Sequence, residues 1–266
     1  LWAATGMHIP ALIQEQNGFA GLTNKKLGSR VQCICVAYEG MERLFPADKI
    51  VMTGNPIRSI IVPATPEMKE AGIQEYGLDP SRKHIFIVGG SLGSARFNQC
   101  MKEWISDGCP GLDGVDVLWQ CGKHYRPDID RFMDEQRTKN PDVARHIHHS
   151  DFIGRMELAY AAADVVISRS GASSVSELGA ARKAVIFIPS PNLVEDHQTH
   201  NAMALVKKDA TVVVKDAEAM EKMIPTALEL LKDPARIARL EENAGKMALP
   251  DAAGKIAEEV YKLIKG

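Results

Sequence analysis

The sequence predicts an α/β protein with a parallel, doubly wound sheet, and three observations support that fold class. Short β-branched runs alternate with helical patterns from residue 84 onward, which is the order that crossover connections between parallel strands require. Residues 185–188 are apolar at every position, as expected for a strand that helices cover on both faces. The composition is 45% hydrophobic and 25% charged, which is typical of a globular protein with a sizeable core.

The elements of this part of the chain follow from those patterns. The predicted strands are His84–Val88, Val115–Gln120, His146–Phe152, Asp164–Ser168, Ala184–Pro189 and Thr211–Val214. The predicted crossover helices are Ala95–Ile105, Pro127–Thr138, Met156–Ala162, Ser173–Arg182 and His197–Lys208. Further helices are predicted over Ala217–Lys232, Pro234–Ala248 and Ala252–Lys265. Pro250 separates the last two helices, and Asp251 is a candidate N-cap of the final one.

The residues before position 58 are predicted to belong to a different domain. Only two strand-like runs occur there, Val31–Val36 and Lys49–Thr53, which is too few for an independent sheet of normal size. We interpret residues 1–57 as the end of a second α/β domain and expect the rest of that domain to precede Leu1, since the chain starts without Met. The polar stretch 67–83 is predicted to be surface at the domain junction.

Bulk properties argue against several classes of protein. Lys and Arg total 32 against 34 acidic residues, so the basic surplus of a nucleic-acid-binding protein is missing. No apolar stretch approaches the roughly 18 residues of a membrane-spanning helix. The five cysteines form no Cys-x-x-Cys pair, which favours reduced thiols over a disulfide framework or a zinc site.

A glycine-rich loop joins the first strand of the complete domain to its helix. It contains Gly89, Gly90, Ser91 and Gly93, and glycines between a buried strand and a helix let backbone N–H groups approach a phosphate. The Ser91 hydroxyl can donate to the same phosphate. The loop lacks the Lys-Ser/Thr ending of a Walker-type loop. A tight turn whose glycines are needed only for packing is the alternative.

A second strand-to-helix connection follows Ser168. Ser173 or Ser174 is predicted to cap the next helix, and Glu177 lies about one turn inside it. A carboxylate at that position can accept hydrogen bonds from a ribose diol. A capping box between Ser174 and Glu177 is the alternative.

The connection 189–201 contains neutral amides. Gln198 and Asn201 are three residues apart at the start of a predicted helix, so their side chains share one face, and Asp196 is a candidate cap. Amides donate and accept without adding charge, as a ligand rich in hydroxyl groups requires. A solvated helix start is the alternative.

Two further patterns imitate metal sites. Asp128 and Asp130 form an Asp-x-Asp, but they follow Pro127 at a helix start, where capping is favoured over metal ligation. His146 and His148 share one strand face, yet no third ligand is evident in the sequence. No metal site is predicted.

Taken together, five motifs in this order resemble the MurG family of UDP-N-acetylglucosamine:lipid-linked muramyl-pentapeptide N-acetylglucosaminyltransferases. The matching segments are Glu15–Lys25, Gly54–Arg58, Val88–Ser94, Ser168–Glu177 and Gln198–Asn201. The resemblance implies a GT-B fold, in which two Rossmann-like domains face each other across a cleft. Residues 1–57 would then be part of the N-terminal, acceptor-binding domain, with the last helix, 251–266, packing back on it. Residues 58–250 would be the Rossmann-like domain that binds the donor.

The resemblance also implies which residues bind the donor nucleotide sugar. They are Asn17, Arg58, Gly89, Gly90, Ser91, Ile153, Ala172, Ser173, Ser174, Val175, Ser176, Glu177, Gln198 and Asn201. Arg58 would meet the diphosphate, and Ser91 would hold a phosphate. The backbone of Ile153 would meet uracil, Glu177 the ribose hydroxyls and Gln198 the hydroxyls of the sugar.

The implied reaction is the inverting transfer of N-acetylglucosamine from UDP-N-acetylglucosamine to the C4 hydroxyl of the muramyl sugar of lipid I, which gives lipid II for peptidoglycan synthesis. Such an enzyme would act in the cytoplasm, at the inner face of the cell membrane. The apolar residues 1–2 and 12–13 would then belong to a membrane-facing patch, with ordinary core burial as the alternative. No metal cofactor is expected, because Arg58 and the helix N-terminus behind the glycine loop can stabilise the departing diphosphate.

The sequence departs from the family at the catalytic end. The family's N-terminal glycine-rich loop, with its histidine, is not in this sequence, and Gln14 stands where some relatives have histidine. Glu15 is the remaining candidate for a general base, and an acceptor contact or a structural hydrogen bond is its favoured alternative. We therefore expect this chain by itself not to turn over. The alternative functions are a UDP-N-acetylglucosamine 2-epimerase-like enzyme and a UDP-sugar-binding module without catalysis.

Overall fold

The structure, a computed structural model, describes residues 1–191 and 196–265. Part of the predicted connection 189–201, namely residues 192–195, lies outside the described residues. The strands are β1 (Leu12–Glu15), β2 (Cys33–Val36), β3 (Ile50–Met52), β4 (Lys83–Val88), β5 (Val115–Gln120), β6 (Ile147–Ser150), β7 (Val165–Ser168), β8 (Val185–Phe187) and β9 (Val212–Val213). The helices are α1 (Trp2–Gly6), α2 (Leu22–Gly28), α3 (Pro66–Glu75), α4 (Ala95–Ser106), α5 (Arg126–Lys139), α6 (Pro141–Ala144), α7 (Met156–Ala162), α8 (Ala172–Ala180), α9 (His197–Val206), α10 (Ala219–Leu231), α11 (Pro234–Met247) and α12 (Ala252–Lys265).

The larger of two sheets has the order β6-β5-β4-β7-β8-β9, with every pair parallel. From β4 the chain adds β5 and β6 on one side, and it then crosses back to add β7, β8 and β9 on the other side of β4. As a result β4 and β7 are neighbours, and Val88 lies opposite Ser168 at their carboxyl ends. This is the switch point of a doubly wound sheet, where ligands bind in folds of this type. The predicted fold class is confirmed.

The large sheet is covered on both faces. Ile85 and Ile87 of β4 pack in one cluster with α4, α5 and α10, whereas Phe86 and Val88 pack in another with α7, α8 and α9. These four side chains are at most 5% exposed. Burying a side chain of this size contributes about 1.5–3 kcal/mol, so the strand ends at the switch point are held by a well-packed centre.

The small sheet, with the order β1-β2-β3, contains one strand more than the two predicted from residues 1–57. The buried positions of β1 are Ile13 and Glu15, so one apolar side chain is all that marks its inner face. A strand this short and this polar is not visible in a hydrophobic pattern. Ile13 lies in the core of the small sheet at 3% exposed, whereas Leu1 and Trp2 are 59% and 55% exposed.

Helix α3 occupies much of the stretch whose polarity predicts a junction surface. Thr65 caps the helix, because its Oγ1 accepts a hydrogen bond from the Met68 N–H at 3.2 Å. At Gly72 an added Cβ would lie 2.3 Å from the carbonyl oxygen of Leu158 in α7, so the two helices are in backbone contact. This contact needs a glycine and not an apolar stripe, and hydrophobic periodicity therefore does not reveal the helix.

The end of the chain touches the small sheet. In β2 the Cys33 Sγ lies 3.9 Å from Oε2 of Glu259 in α12, and a Cβ on Gly54 would lie 2.7 Å from the Cβ of Leu249. All five cysteines are free, as predicted. All five are also buried, and burial raises the pKa of Cys33 to about 12. Within the described ranges, no helix is both long enough and apolar enough to cross a bilayer.

Candidate functional site

A cleft of about 690 Å³ lies over the carboxyl ends of β4, β7 and β8. It is lined by Gly89, Gly90, Ser91, Leu92, Gly93, Ser94, Ala95, Arg96, Gln99, Arg169, Gly171, Ser174, Ser190, Pro191, Gln198 and Asp216. All three polar connections that the sequence analysis singled out contribute to this lining. Parallel strands thus bring loops that are distant in sequence to one edge of the sheet.

The glycine loop serves both packing and access. Gly93 has a φ of +77°, and a Cβ there would lie 2.2 Å from the carbonyl oxygen of Cys121, so packing requires glycine at this position. Gly90 has a φ of +90° with no atom within 4 Å of where a Cβ would stand. The loop ends at Ser94, whose Oγ accepts from the Phe97 N–H at 3.3 Å and caps α4. Both interpretations of the loop therefore apply, but to different glycines: Gly93 is required for packing, whereas Gly90 leaves room for a phosphate to approach.

A second helix N-terminus borders the cleft. Helix α8 begins at Ala172, with Gly171 as its N-cap and without a side-chain cap, so the prediction that Ser173 or Ser174 caps it is wrong. Both serines lie in the first turn, where backbone N–H groups have no acceptor inside the helix. The N-termini of α4 and α8 together give this edge of the sheet partial positive charge.

Helix α9 begins at His197, the predicted first residue. Asp196 occupies the N-cap position, as predicted, but it has a φ of +50° and its side chain makes no capping hydrogen bond. Gln198 does line the cleft, and its Oε1 accepts from the Ser190 N–H at 2.9 Å. The amide group is thereby oriented with its oxygen anchored to the protein.

Two arginines and one aspartate form a charged cluster in the cleft. Arg169 Nη1 donates to Asp216 Oδ1 at 2.6 Å, and its Nη2 donates to Ser94 Oγ at 3.0 Å. The same Nη1 reaches the carbonyl oxygens of residues 188–189 after β8. Arg96 Nε donates to Asp216 Oδ2 at 3.3 Å. Two positive groups and one negative group therefore leave the lining with a net charge of +1.

This cluster was not predicted from the sequence. Arg169 lies in the segment Ser168–Glu177, but its partner Asp216 is 47 residues further along the chain. The one local signal was a charged residue directly after the fully buried strand β7, since a charge in such surroundings needs a partner. Nothing in the spacing indicates that Arg96 shares that partner.

Arg58 and Glu177 bind each other. The Nε and Nη2 atoms of Arg58 both lie 3.2 Å from Glu177 Oε1, and Glu177 Oε2 accepts from the Tyr160 hydroxyl at 3.2 Å. Burial, reinforced by the neighbouring carboxylate, raises the pKa of Tyr160, so its hydroxyl stays a donor. The capping-box alternative is wrong, because Glu177 bonds these side chains and Ser174 is not an N-cap.

Asn201 joins α9 to the segment after β1. It is fully buried, its Oδ1 accepts from the Gly18 N–H at 2.8 Å, and its Nδ2 donates to Asn17 Oδ1 at 3.1 Å and to the Ser170 carbonyl oxygen at 3.2 Å. Both ends of the amide are therefore engaged by the protein. Two predicted ligand residues, Asn17 and Asn201, bond to each other in this structure.

Glu15, the candidate base, is engaged as well. It is 3% exposed. Its Oε1 accepts from the N–H and the side-chain amide of Asn17 at 3.0 and 3.3 Å, and its Oε2 accepts from the Gly21 N–H and from Asn24 Nδ2, both at 2.9 Å. Four donors thus organise the segment after β1 around this carboxylate, which agrees with the structural alternative that the sequence favoured.

Five other predicted residues are not among those that line the cleft, namely Ser176, Ile153, Val175, Ala172 and Ser173. Ser176 Oγ accepts from Asn55 Nδ2 at 3.0 Å. Ile153 and Val175 are 2% and 6% exposed, so a ligand could meet them through the backbone alone. Ala172 precedes Ser173 and Ser174 in the first turn of α8.

The two aspartates of the Asp-x-Asp pattern form ion pairs with other side chains of the chain, at the protein surface. Asp128 accepts from Lys102 Nζ at 3.0 Å. Asp130 Oδ1 lies 2.6 Å from Arg126 Nε and 2.7 Å from His149 Nε2. Both carboxylates lie on α5, outside the cleft lining. Asp128 is in the first turn, as the helix-dipole interpretation predicted, but neither aspartate caps the helix, so the capping part of that prediction is wrong.

His146 and His148 surround a buried carboxylate. Ring nitrogens of the two histidines lie 2.8 and 3.5 Å from the oxygens of Asp116. Burial acts to raise the pKa of Asp116, but hydrogen bonds from His148, the Asp79 N–H and His146 outweigh it and lower the pKa to about 2. In the part of the chain that the structure describes, no group of three or more His, Cys, Asp and Glu side chains is arranged to hold a metal ion.

Comparison with known proteins gives a family. Residues 84–256 match the glycosyltransferase family 28 C-terminal domain. The chain is 45% identical over 269 residues to the UDP-N-acetylglucosamine--N-acetylmuramyl-(pentapeptide) pyrophosphoryl-undecaprenol N-acetylglucosamine transferase of Parabacteroides distasonis, which covers 99% of this chain and 69% of that protein. The protein of the same name from Bacteroides thetaiotaomicron is 46% identical over 257 residues, covering 97% and 67%. The chain thus spans about two thirds of the length of these relatives.

Solved structures agree. MurG from Acinetobacter baumannii superposes with a TM-score of 0.73 at 26% identity, over 98% of this chain and 69% of that one. Alr3699/HepE from Anabaena, in complex with UDP and glucose, superposes with a TM-score of 0.61 at 13% identity, over 97% of this chain and 73% of that one. The second likeness concerns the fold alone.

Proposed function

The chain belongs to the MurG family within glycosyltransferase family 28, and from that premise we propose that it moves N-acetylglucosamine from UDP-N-acetylglucosamine to the C4 hydroxyl of the muramyl sugar of lipid I. The product would be lipid II. One observation carries the proposal for this chain: the switch-point cleft has a net charge of +1 and lies between a glycine loop and two helix N-termini. Such a site is suited to a nucleoside diphosphate.

The donor is proposed to lie across the carboxyl ends of β4 and β7. Its diphosphate would rest on the backbone of Gly90 and Ser91, and its nucleoside would follow α8 between Ile153 and Glu177. The Gln198 amide, anchored through Oε1 to the Ser190 N–H, would donate from its nitrogen to a sugar hydroxyl. Binding in this pose requires Glu177 to exchange its bond to Arg58 for the ribose diol, which frees the guanidinium for the diphosphate.

The proposed reaction is a single displacement at the anomeric carbon. The acceptor oxygen forms a bond to C1 as the bond from C1 to the β-phosphate oxygen breaks, so the configuration inverts and UDP leaves with the electron pair. The acceptor proton passes to a general base. Glu15 is poorly placed for that role, because four donors occupy its two oxygens.

Charge on the departing diphosphate is proposed to be met without a metal ion. Backbone N–H groups and guanidinium groups in a preorganised site contribute a few kcal/mol each to stabilising such charge. The cleft offers both, at the glycine loop and at the arginine cluster. Donor binding that is unchanged by EDTA and by added Mg²⁺ is the expected result, and a requirement for Mg²⁺ would contradict this part of the proposal.

The acceptor side implies a membrane surface. We propose a peripheral location on the cytoplasmic face of the cell membrane, where lipid I would be met. The support for this location is the lipid-linked acceptor, a pyrophosphoryl-undecaprenol, that the names of the relatives give.

Two measurements test the proposed function. Titration calorimetry should show that UDP and UDP-N-acetylglucosamine bind, and absence of both would remove the basis of the proposal. Labelled UDP-N-acetylglucosamine should transfer its sugar only when a lipid-linked muramyl acceptor is present. Acceptor-independent conversion to a 2-epimer would support the epimerase alternative, which the names of the relatives do not favour. Binding without transfer would support the non-catalytic module.

A further inference from the structure

We infer that Arg96 is a second guanidinium contact for the β-phosphate of the donor, an assignment that rests on the proposed function. Arg96 is the second residue of α4, and its side chain lines the cleft beside the glycine loop. Neither the sequence motifs nor the family resemblance singles it out. Its charge and hydrogen bonds differ from those of Arg169, which also lines the cleft, and of Arg58, which does not.

The distribution of charge favours Arg96 over the other two arginines. Arg58 forms a neutral pair with Glu177, outside the lining. Arg169 is 13% exposed, with both Nη atoms engaged by the protein. Arg96 shares Asp216 with Arg169 and is the more exposed partner, at 36%. The positive charge that Asp216 does not neutralise is therefore accessible to a ligand at Arg96.

Hydrogen bonds position the Arg96 side chain without saturating it. Its Nε donates to Asp216 Oδ2 at 3.3 Å, and its Nη1 makes a long contact of 3.5 Å to Gln99 Oε1. A guanidinium has five N–H donors, so most of them stay available after these two contacts. A planar guanidinium group can donate two parallel hydrogen bonds to the oxygens of one phosphate. Asp216 and Gln99 act here as positioning residues that hold the Arg96 guanidinium group at the cleft.

The stabilisation that Arg96 gives to the diphosphate is expected to increase as the reaction proceeds. When the bond from C1 to the β-phosphate oxygen breaks, negative charge increases on the leaving diphosphate. A preorganised, charge-assisted donor stabilises that charge more than it stabilises the bound donor. The contact is therefore expected to strengthen binding of UDP, which has a β-phosphate, and to leave binding of UMP nearly unchanged.

Calorimetric titrations of the whole chain with UMP, UDP and UDP-N-acetylglucosamine test the assignment. Arg96→Gln should raise the Kd for UDP and for UDP-N-acetylglucosamine about tenfold or more, and the Kd for UMP less than about threefold. Arg96→Lys should recover part of the lost UDP affinity, because lysine keeps the positive charge but cannot form two parallel hydrogen bonds to a phosphate. Lys102→Gln is the matched control, since Lys102 lies on the same helix and binds Asp128 outside the cleft.

The outcomes separate the possible errors. Unchanged UDP affinity in Arg96→Gln overturns the inference, as does an equal loss for UMP and UDP, which would indicate a role in shaping the loop. A loss confined to UDP-N-acetylglucosamine also overturns it, because Arg96 would then face the sugar. Should Arg96→Gln not fold, Arg96→Lys decides the matter by the same comparison of UDP with UMP. Failure of the unmodified chain to bind UDP would instead refute the proposed function.

Discussion

Replacing Asn201 with alanine separates a structural role for this residue from a role in ligand binding. The side chain is fully buried and bonds to the Gly18 N–H, to the Ser170 carbonyl oxygen and to Asn17. Truncation leaves the first two of these groups buried without their partner, at about 1–3 kcal/mol each. The Asn201→Ala variant should therefore lose about 2–6 kcal/mol of unfolding free energy.

Urea denaturation followed by circular dichroism measures that loss, and calorimetry with UDP-N-acetylglucosamine measures affinity under native conditions. Asn243→Ala is the matched control, because Asn243 is half-buried and makes one hydrogen bond, to the Asp209 carbonyl oxygen at 3.0 Å. It should cost about 1 kcal/mol or less. If Asn201→Ala is as stable as the control but binds UDP-N-acetylglucosamine much more weakly, the amide contacts the ligand and the structural interpretation is refuted.

Three further predictions concern the loop, the ion pair and the buried acid. Gly93→Ala should cost more than about 2 kcal/mol of stability, because its Cβ would lie 2.2 Å from a backbone oxygen. At Gly90 an added Cβ would meet no atom within 4 Å, so Gly90→Ala should cost only about 1–2 kcal/mol of stability, and it should weaken UDP binding. If the two variants have equal thermal stability, Gly93 is not required for packing more than Gly90 is. Glu177→Gln should change stability by less than about 1 kcal/mol, since Arg58 is 50% exposed and such pairs contribute little; it should still weaken UDP binding, and unchanged calorimetric affinity would exclude a ribose contact. The pKa of Asp116 is about 2 in the folded protein, below the roughly 3.9 of an unfolded chain, so the group should contribute about 2–3 kcal/mol of stability above about pH 4 that is lost as the pH falls toward 2. Asp116→Asn should flatten the stability curve in that pH window, and an unchanged acid slope would show that the carboxylate is not responsible.

Local patterns determined much of this fold, because they report how each segment is buried. The alternation of β-branched runs with amphipathic segments predicts the large sheet, and its strands are present with ends shifted by a few residues. The glycine loop was recognised because its position between strand and helix has one common physical use. Two of the segments that were missed, β1 and α3, bury a glutamate and a glycine where a pattern would need apolar residues.

The partners of the polar side chains were decided by the tertiary structure. Sequence reasoning assigned Arg58 and Glu177, and likewise Asn17 and Asn201, to a ligand one residue at a time, whereas the structure pairs them across 119 and 184 positions of the chain. The same holds for Arg169, Arg96 and Asp216, whose shared charge is visible only when β4, β7 and β9 lie in one sheet. Hydrophobic periodicity encodes which face of an element is buried, but a charge or an amide takes whichever partner the fold brings within about 3 Å, and no local spacing contains that information.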